Sequence, residues 1–162
     1  MFRGKVDYSV NLRTLFRMNT TDLTQRPPRS PRLKLGGYVI LPRMLDKGRA
    51  QIAAKSGEYH FACPLDQRFL DFTGIESAQV LDHLKQGKSD TEILAWVREK
   101  SKRTDFEIYT WSNYQLQRAP SDIEDREFFN ESMKSLAPER DDVITWFDLL
   151  DLDDYVSFGG QG

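Results

Sequence analysis

Apolar residues recur along most of this chain every three or four positions, which is the spacing of one face of an α-helix. No stretch of alternating apolar and polar residues is longer than four, and Tyr38–Leu41 is the main candidate for a strand. We therefore expect an all-α fold, a compact single-domain bundle of about six or seven short helices with an extended N-terminal arm. The pattern predicts helices over about 38–55, 64–74, 76–86, 90–102, 105–118 and 122–137, and a final short helix that carries Val143, Trp146, Phe147, Leu149 and Leu150.

Three of the predicted helices begin with the same four-residue signal, at Ser89–Glu92, Thr104–Glu107 and Ser121–Glu124. In each, the hydroxyl oxygen can accept from the backbone N–H three residues later, while the Glu accepts from the backbone N–H of the first residue. The Asp between them places negative charge at the positive end of the helix dipole. These signals predict helix positions in the C-terminal half and carry no information about chemistry.

Each predicted helix has an apolar face that we expect to point into the core. Most aromatic residues fall on these faces, which indicates core packing rather than a cofactor site. The expected inward residues are Leu41, Leu45, Gly48 and Ile52; Leu65, Phe69 and Phe72; Val80, Leu81 and Leu84; Ile93, Leu94 and Val97; Ile108, Trp111 and Tyr114; and Phe128, Phe129, Met133 and Leu136.

The chain divides into three parts by composition. Residues 1–25 lack clear periodicity, so we expect a poorly structured N-terminal extension, and Met18 would make an alternative start. Residues 26–158 form the predicted helical domain, and 159–162 form a flexible glycine-rich tail. The domain opens with residues 26–32, where three prolines and three arginines favour an extended arm. We expect this arm to lie as a strap over the domain's own surface.

Composition narrows the class of protein. With 39% hydrophobic residues, the 162-residue chain can bury a substantial core. The net charge of −2 argues against a nucleic-acid binder, whose surface is usually basic. The single cysteine excludes an internal disulfide and is typical of a reducing compartment. The apolar runs are too short to span a bilayer, and residues 1–20 hold no continuous apolar stretch, so we expect neither a membrane span nor a secretory signal. We expect a soluble cytoplasmic protein.

Several short strings between about residues 25 and 155 form a specific combination. They are Ser30-Pro31, Leu35–Gly37, Arg43–Lys47, Glu58–His60, Asp71–Ile75, Gly87–Trp96, Arg140–Asp148 and Asp153-Asp154. Together they resemble a bacterial family described as domain of unknown function 5069. The resemblance implies a compact helical domain of about this length, and it implies no reaction, substrate or catalytic residue.

His60, Cys63 and Asp66 are the candidate catalytic residues. Cys63 precedes Pro64 and therefore lies at a predicted helix start, where the helix dipole favours the thiolate. His60, three residues earlier, could act as a base for that thiol, or could work with Asp66. The alternative is a buried structural Cys with a His bonded to the backbone. His-x-x-Cys alone does not make a zinc site, and we expect no metal.

Arg43, Asp46 and Lys47 crowd the first predicted helix. Because Arg43 and Lys47 are one helical turn apart, both cations can face one shared anion. With Tyr59 and His60 after the following turn, the five residues could line a pocket for a carboxylate or phosphate. The alternative is a solvated helix face on which Asp46 pairs with the arginines beside it.

Two further clusters carry weaker signals. The C-terminal acidic residues Asp148, Asp151, Asp153 and Asp154 lack the spacing of a calcium loop, so we expect a solvated edge. The arm contains Pro28–Pro31, a minimal P-x-x-P motif that could dock a partner's aromatic groove.

Two functions follow. The first is a non-catalytic module that binds a protein or a small anionic ligand through the Pro/Arg arm and the Arg43–Arg49 helix. The second is a small enzyme that uses His60 with Cys63 or Asp66. Glycine-rich phosphate loops are absent from the sequence, and we expect no cofactor.

Overall fold

Seven α-helices account for most of residues 22–162, the part of the chain that this computed structural model describes. Within this part the only β-type pairing is an isolated bridge between Leu35 and Tyr38, so the all-α prediction is confirmed. None of the described helices is long and apolar enough to cross a membrane. The helices are α1 Leu41–Ile52, α2 Pro64–Thr73, α3 Ser77–Lys85, α4 Asp90–Ser101, α5 Asp105–Gln117, α6 Ile123–Leu136 and α7 Trp146–Ser157. The predicted N-terminal extension lies outside the described residues up to residue 21.

Helix α1 begins three residues later than predicted, because Pro42 must lie in the first turn of a helix. Residues 38–40 instead form a fully buried turn. Gly36 and Gly37, at φ of 58° and 92°, allow the tight bend before it. The N–H of Ile40 donates to the carbonyl of Pro31 at 2.9 Å, which ties the turn to the preceding arm.

The capping signals at Ser89 and Thr104 form as predicted. In both, the backbone N–H of the cap residue donates to its Glu at 2.8 Å. The prediction for Ser121 is wrong, because Asp122 is the N-cap of α6 and accepts from the N–H of Asp125 at 2.8 Å. The Asp122 carboxylate takes the capping role expected of the Ser121 hydroxyl, so α6 begins at Ile123, one residue later than predicted.

The last helix is longer than predicted and starts later. Val143 precedes it, and Thr145 caps it together with Asp148, whose carboxylate accepts from the N–H of Thr145 at 2.8 Å. The helix then continues to Ser157, seven residues beyond Leu150, the last residue named for the predicted helix. Buried Leu152 and Asp154 hold this extension against the domain.

Among residues 22–162, the core has two apolar clusters. The main one surrounds Tyr38, Phe69 and Phe147, and a smaller one between α6 and α7 contains Phe129 and Leu152. Two residues expected to point inward do not, because the side chains of Tyr114 and Phe128 are 62% and 63% exposed. Their helices contact the core along a narrower stripe than the sequence suggested.

Residues 26–32, here called the strap, lie across the domain. Pro28 and Pro31 are buried. Arg29 forms a two-pronged ion pair with Asp46 of α1 at 2.7 and 2.8 Å, and it also pairs with Asp90 of α4 at 2.7 Å.

Arg32 fixes the other end of the strap to α7. It pairs with Asp148 and, at 3.0 Å, with Asp151. The strap thereby joins three helices that are far apart in sequence.

Candidate functional site

A cavity of about 540 Å³ opens between the beginning of the described chain, the α1–α2 connection and the C-terminal end of α7. Its size falls within the range of small-molecule sites, roughly 300–1,000 Å³. Leu65, Leu150 and Phe158 provide apolar wall, while α1 contributes the cations Arg43 and Lys47. The cavity can therefore contact both an apolar group and a charged one.

Arg43 forms one part of the cavity floor. Its guanidinium makes two bonds to buried Asp154, at 2.6 and 3.0 Å, and lies 5.5 Å from the ring centre of Tyr59. The hydroxyl of Tyr59 donates to the same carboxylate at 2.8 Å. Burial and this hydrogen bond raise the pKa of Tyr59, so the phenol stays protonated at neutral pH. The cation, ring and carboxylate form one rigid group.

Lys47 forms the other part of the floor. Its ammonium lies 2.8 Å from Asp66 and donates to the sulfur of Cys63 at 3.1 Å. Asp66 is fully buried and also accepts the N–H of Ala62 at 2.9 Å. Burial raises the pKa of Asp66, against the lowering effect of Lys47. The ionised carboxylate therefore depends on the lysine.

The rim of the cavity is acidic. Glu58 and Asp153 line it, and His60 is an exposed side chain beside them. Burial raises the pKa of Asp153, and the nearby charge of Asp154 raises it further. Since Arg43 and Lys47 already have carboxylate partners, the cavity as a whole carries no positive excess.

The structure brings together most of the residues that the sequence singled out. Arg43, Lys47, Tyr59, His60 and Cys63 all line the cavity. However, Arg43 and Lys47 each pair with a carboxylate of the protein, whereas the sequence suggested that both could face one shared anion.

Two of the predicted site residues lie elsewhere. Asp66 sits beneath Lys47 and does not line the cavity, and Asp46 binds Arg29 of the strap. The predicted alternative, ion pairs within α1, is also wrong: Arg49 pairs with Asp90 at 2.7 Å. Asp46 is thus part of the strap attachment.

Sequence reasoning missed Asp154 as the partner of Arg43. A signal was present, because Asp154 lies seven residues after Phe147, on the same side of α7. A carboxylate on an apolar helix face needs a buried cation. The sequence had grouped it with other acids on a solvated edge.

Two of the three remaining acids of that group also have internal partners, and the third, Asp153, lines the cavity rim. Asp148 and Asp151 bind Arg32, as described above. Among residues 22–162, no three His, Cys, Asp or Glu side chains come together as a metal site would require.

Fold and site together define a small all-α protein in which buried ion pairs form the floor of a ligand-sized cavity. The family described as Domain of unknown function (DUF5069) matches residues 25–156, and the chain belongs to this family. No curated protein matches the chain with significance. The resemblance drawn from the sequence strings is thereby confirmed, and the function has to be argued from the cavity.

Proposed function

We propose that this protein binds a small monocarboxylate with an apolar portion in the cavity. The observation that carries the proposal is the convergence of two buried cations, Arg43 and Lys47, on one cavity with apolar walls. A carboxylate can accept from these donors while Leu65, Leu150 and Phe158 cover the apolar portion.

The carboxylates around the cavity favour a ligand with a single negative group. Asp154 and Asp66 neutralise the two cations, while Glu58 and Asp153 add negative charge at the rim. A phosphate chain or another polyanion would be repelled by these carboxylates at close range. A monocarboxylate brings the least repulsion for one charged contact.

The strap supports small-molecule binding over recruitment of a protein through P-x-x-P. Pro28 and Pro31 are buried, and Arg29 and Arg32 are held by carboxylates of the same chain. We propose a non-catalytic binding module of the bacterial cytoplasm, where a reducing compartment would keep the single cysteine free.

Thermal shift with three matched phenylbutyl probes and inorganic pyrophosphate tests the proposal. Phenylbutyrate should raise the melting temperature in a saturable manner, because a ligand that binds only the folded state stabilises it. Phenylbutanol, phenylbutylamine and inorganic pyrophosphate should give smaller shifts or none. An equal shift with phenylbutanol would show that Arg43 and Lys47 do not contribute to binding. If none of the probes gives a saturable shift, the proposal is contradicted.

A pair of variants locates the binding site. Ser157 is exposed at the cavity, so Ser157→Trp should fill the opening and abolish the phenylbutyrate shift. Ser121→Trp makes the same substitution at an exposed position that does not line the cavity, and it should retain the shift. Retention of the shift in both variants would place binding elsewhere.

The second candidate is a small enzyme, favoured by one observation: His60 and Cys63 border the same cavity. Turnover of nitrophenyl acetate by the wild type, lost in both Cys63→Ser and His60→Ala, would support it. Turnover that survives in Cys63→Ser would rule out the thiol as nucleophile.

A further inference from the structure

We propose that Cys63 is a site of oxidation by hydroperoxides, with Lys47 as the cation that stabilises its reactive thiolate. The observation that carries this inference is the 3.1 Å contact between the Lys47 ammonium and the Cys63 sulfur at the wall of the cavity. It does not depend on the ligand proposed above.

Two positive potentials meet at the sulfur. Cys63 is the N-cap of α2, where the unpaired backbone N–H groups of the first turn make the helix end positive. The ammonium of Lys47, which is paired with Asp66, donates to the sulfur at 3.1 Å. The thiolate is the nucleophile toward peroxide, and the ammonium is placed to donate a hydrogen bond to it.

The lysine is held in position. Its side chain is 3% exposed, and Asp66 beneath it is fully buried, so the ammonium cannot swing out into water. Asp66 holds the lysine in place, and the lysine in turn contacts the sulfur. This buried Asp66–Lys47–Cys63 series distinguishes the site from an isolated surface thiol.

The cavity gives a small oxidant access to the sulfur. Cys63 is half-buried and lines the cavity, whose volume of about 540 Å³ far exceeds that of a hydroperoxide.

The chemical step balances with hydrogen peroxide as the oxidant. The Cys63 thiolate attacks one peroxide oxygen, the O–O bond breaks, and a sulfenic acid forms as hydroxide leaves. Sulfur is oxidised by two electrons and peroxide is reduced by two. Lys47 can donate a proton to the leaving hydroxide, which departs as water.

The product has no second thiol to react with in this chain, because Cys63 is the single cysteine. The sulfenic acid therefore cannot form an internal disulfide, and a small external thiol must reduce it. The site fits a reversible oxidation mark rather than a self-contained peroxidase cycle.

The test compares the same thiol in the native full chain and in the urea-unfolded chain at pH 7. Hydrogen peroxide is added, the sulfenic acid is trapped with dimedone, and intact mass gives the rate. We expect the native protein to react at least about tenfold faster than the unfolded one. A native rate equal to or below the unfolded rate would overturn the proposal.

Variants then assign the effect to Lys47. The double variant Lys47→Met with Asp66→Asn removes both charges, so no unpaired carboxylate is left buried, and its native rate should fall to the unfolded rate. Lys47→Arg keeps the charge and should preserve part of the acceleration. An unchanged rate in a folded double variant would refute the role of the lysine. If that variant does not fold, the comparison of native and unfolded wild type still decides whether the site is activated.

Discussion

Arg43 is held almost entirely out of water, with 3% of its surface exposed. A charge in that position is tolerable only with a counter-charge and matched hydrogen bonds, and Asp154, which also accepts from the Tyr59 hydroxyl, supplies both. Burial alone would lower the pKa of Arg43, but the hydrogen bonds that Arg43 donates to Asp154 and the charge of that carboxylate outweigh it, and the pKa is raised. The arginine therefore remains charged and fixed at the cavity floor.

Replacing Asp154 by Asn should destabilise the fold strongly. The substitution keeps the shape but leaves the Arg43 charge buried and unpaired, for which we expect a loss of about 3–5 kcal/mol in the free energy of unfolding. Urea denaturation at pH 7 measures it. Asp142→Asn removes an exposed partner of Arg140 and should leave the unfolding curve unchanged. Similar curves for both variants would show that the buried Arg43–Asp154 pair contributes no more to stability than the exposed Arg140–Asp142 pair.

At the level of helices, the start of α6 shows how a local signal is overruled. Ser121 and Glu124 satisfy the same rule as the two signals that do form, yet Asp122 caps the helix. Its carboxylate accepts the N–H of Asp125 at 2.8 Å. A charged acceptor bonds such an N–H more strongly than a hydroxyl does, which explains the choice.

A matched pair of alanine variants tests this assignment. Asp122→Ala should lower the free energy of unfolding by about 1 kcal/mol, the usual effect of losing an N-cap. Ser121→Ala should have no measurable effect, since Ser121 makes no capping bond. Thermal or urea denaturation of both proteins measures the effects. A larger loss in Ser121→Ala than in Asp122→Ala would show that Ser121 is the N-cap.

The strap joins α1, α4 and α7, and its attachment should depend on pH. Burial would raise the pKa of Asp90, but the hydrogen bond from Arg29 and the charge of Arg49 outweigh it and hold the pKa below its ordinary 3.8. A carboxylate with a lowered native pKa stabilises the fold above the unfolded pKa, and this contribution disappears as pH falls through the native value.

Comparing wild type with Asp90→Asn across pH checks that argument. The wild type should be the more stable protein at neutral pH, and the difference between them should shrink once the pH falls below about 4. Urea denaturation at a series of pH values measures both. A difference that stays constant down to strongly acidic pH would mean that ionised Asp90 does not hold the strap.

At the scale of the whole molecule, the segment around Leu23 completes the core and the cavity. Leu23 belongs to the segment that the sequence assigned to an extension, but its side chain is buried and its N–H donates to the backbone carbonyl of Lys55 at 2.9 Å. It also lines the cavity. Residues from Leu23 onward thus contribute to both the core and the site.

Truncation should separate the two parts of the N-terminal region. Deleting residues 1–20 keeps Leu23 and should leave the melting temperature nearly unchanged. Adding Leu23→Ala to the truncated chain should cost about 2–5 kcal/mol, as expected for a buried leucine. Calorimetry of the two proteins measures this, and a large loss on truncation alone would show that residues 1–20 contribute to the fold.

The helices could be predicted because their causes are local. Capping residues, proline, glycine and the spacing of apolar side chains act within a few residues, and they located most of the seven helices to within three residues at either end. The same helical geometry predicted that Arg43 and Lys47 lie on one face of α1. The predictions failed where a helix start had two competing caps, as at Ser121.

The partners of the buried charges were decided by tertiary structure alone. Arg43 meets Asp154, and Arg32 meets Asp151, across more than a hundred residues of chain, and no local rule relates such positions. The sequence by itself determined an all-α chain with cations on one face of α1. Packing decided that those cations would face internal carboxylates around a cavity, because desolvated charges take whichever opposite charge the fold brings within reach.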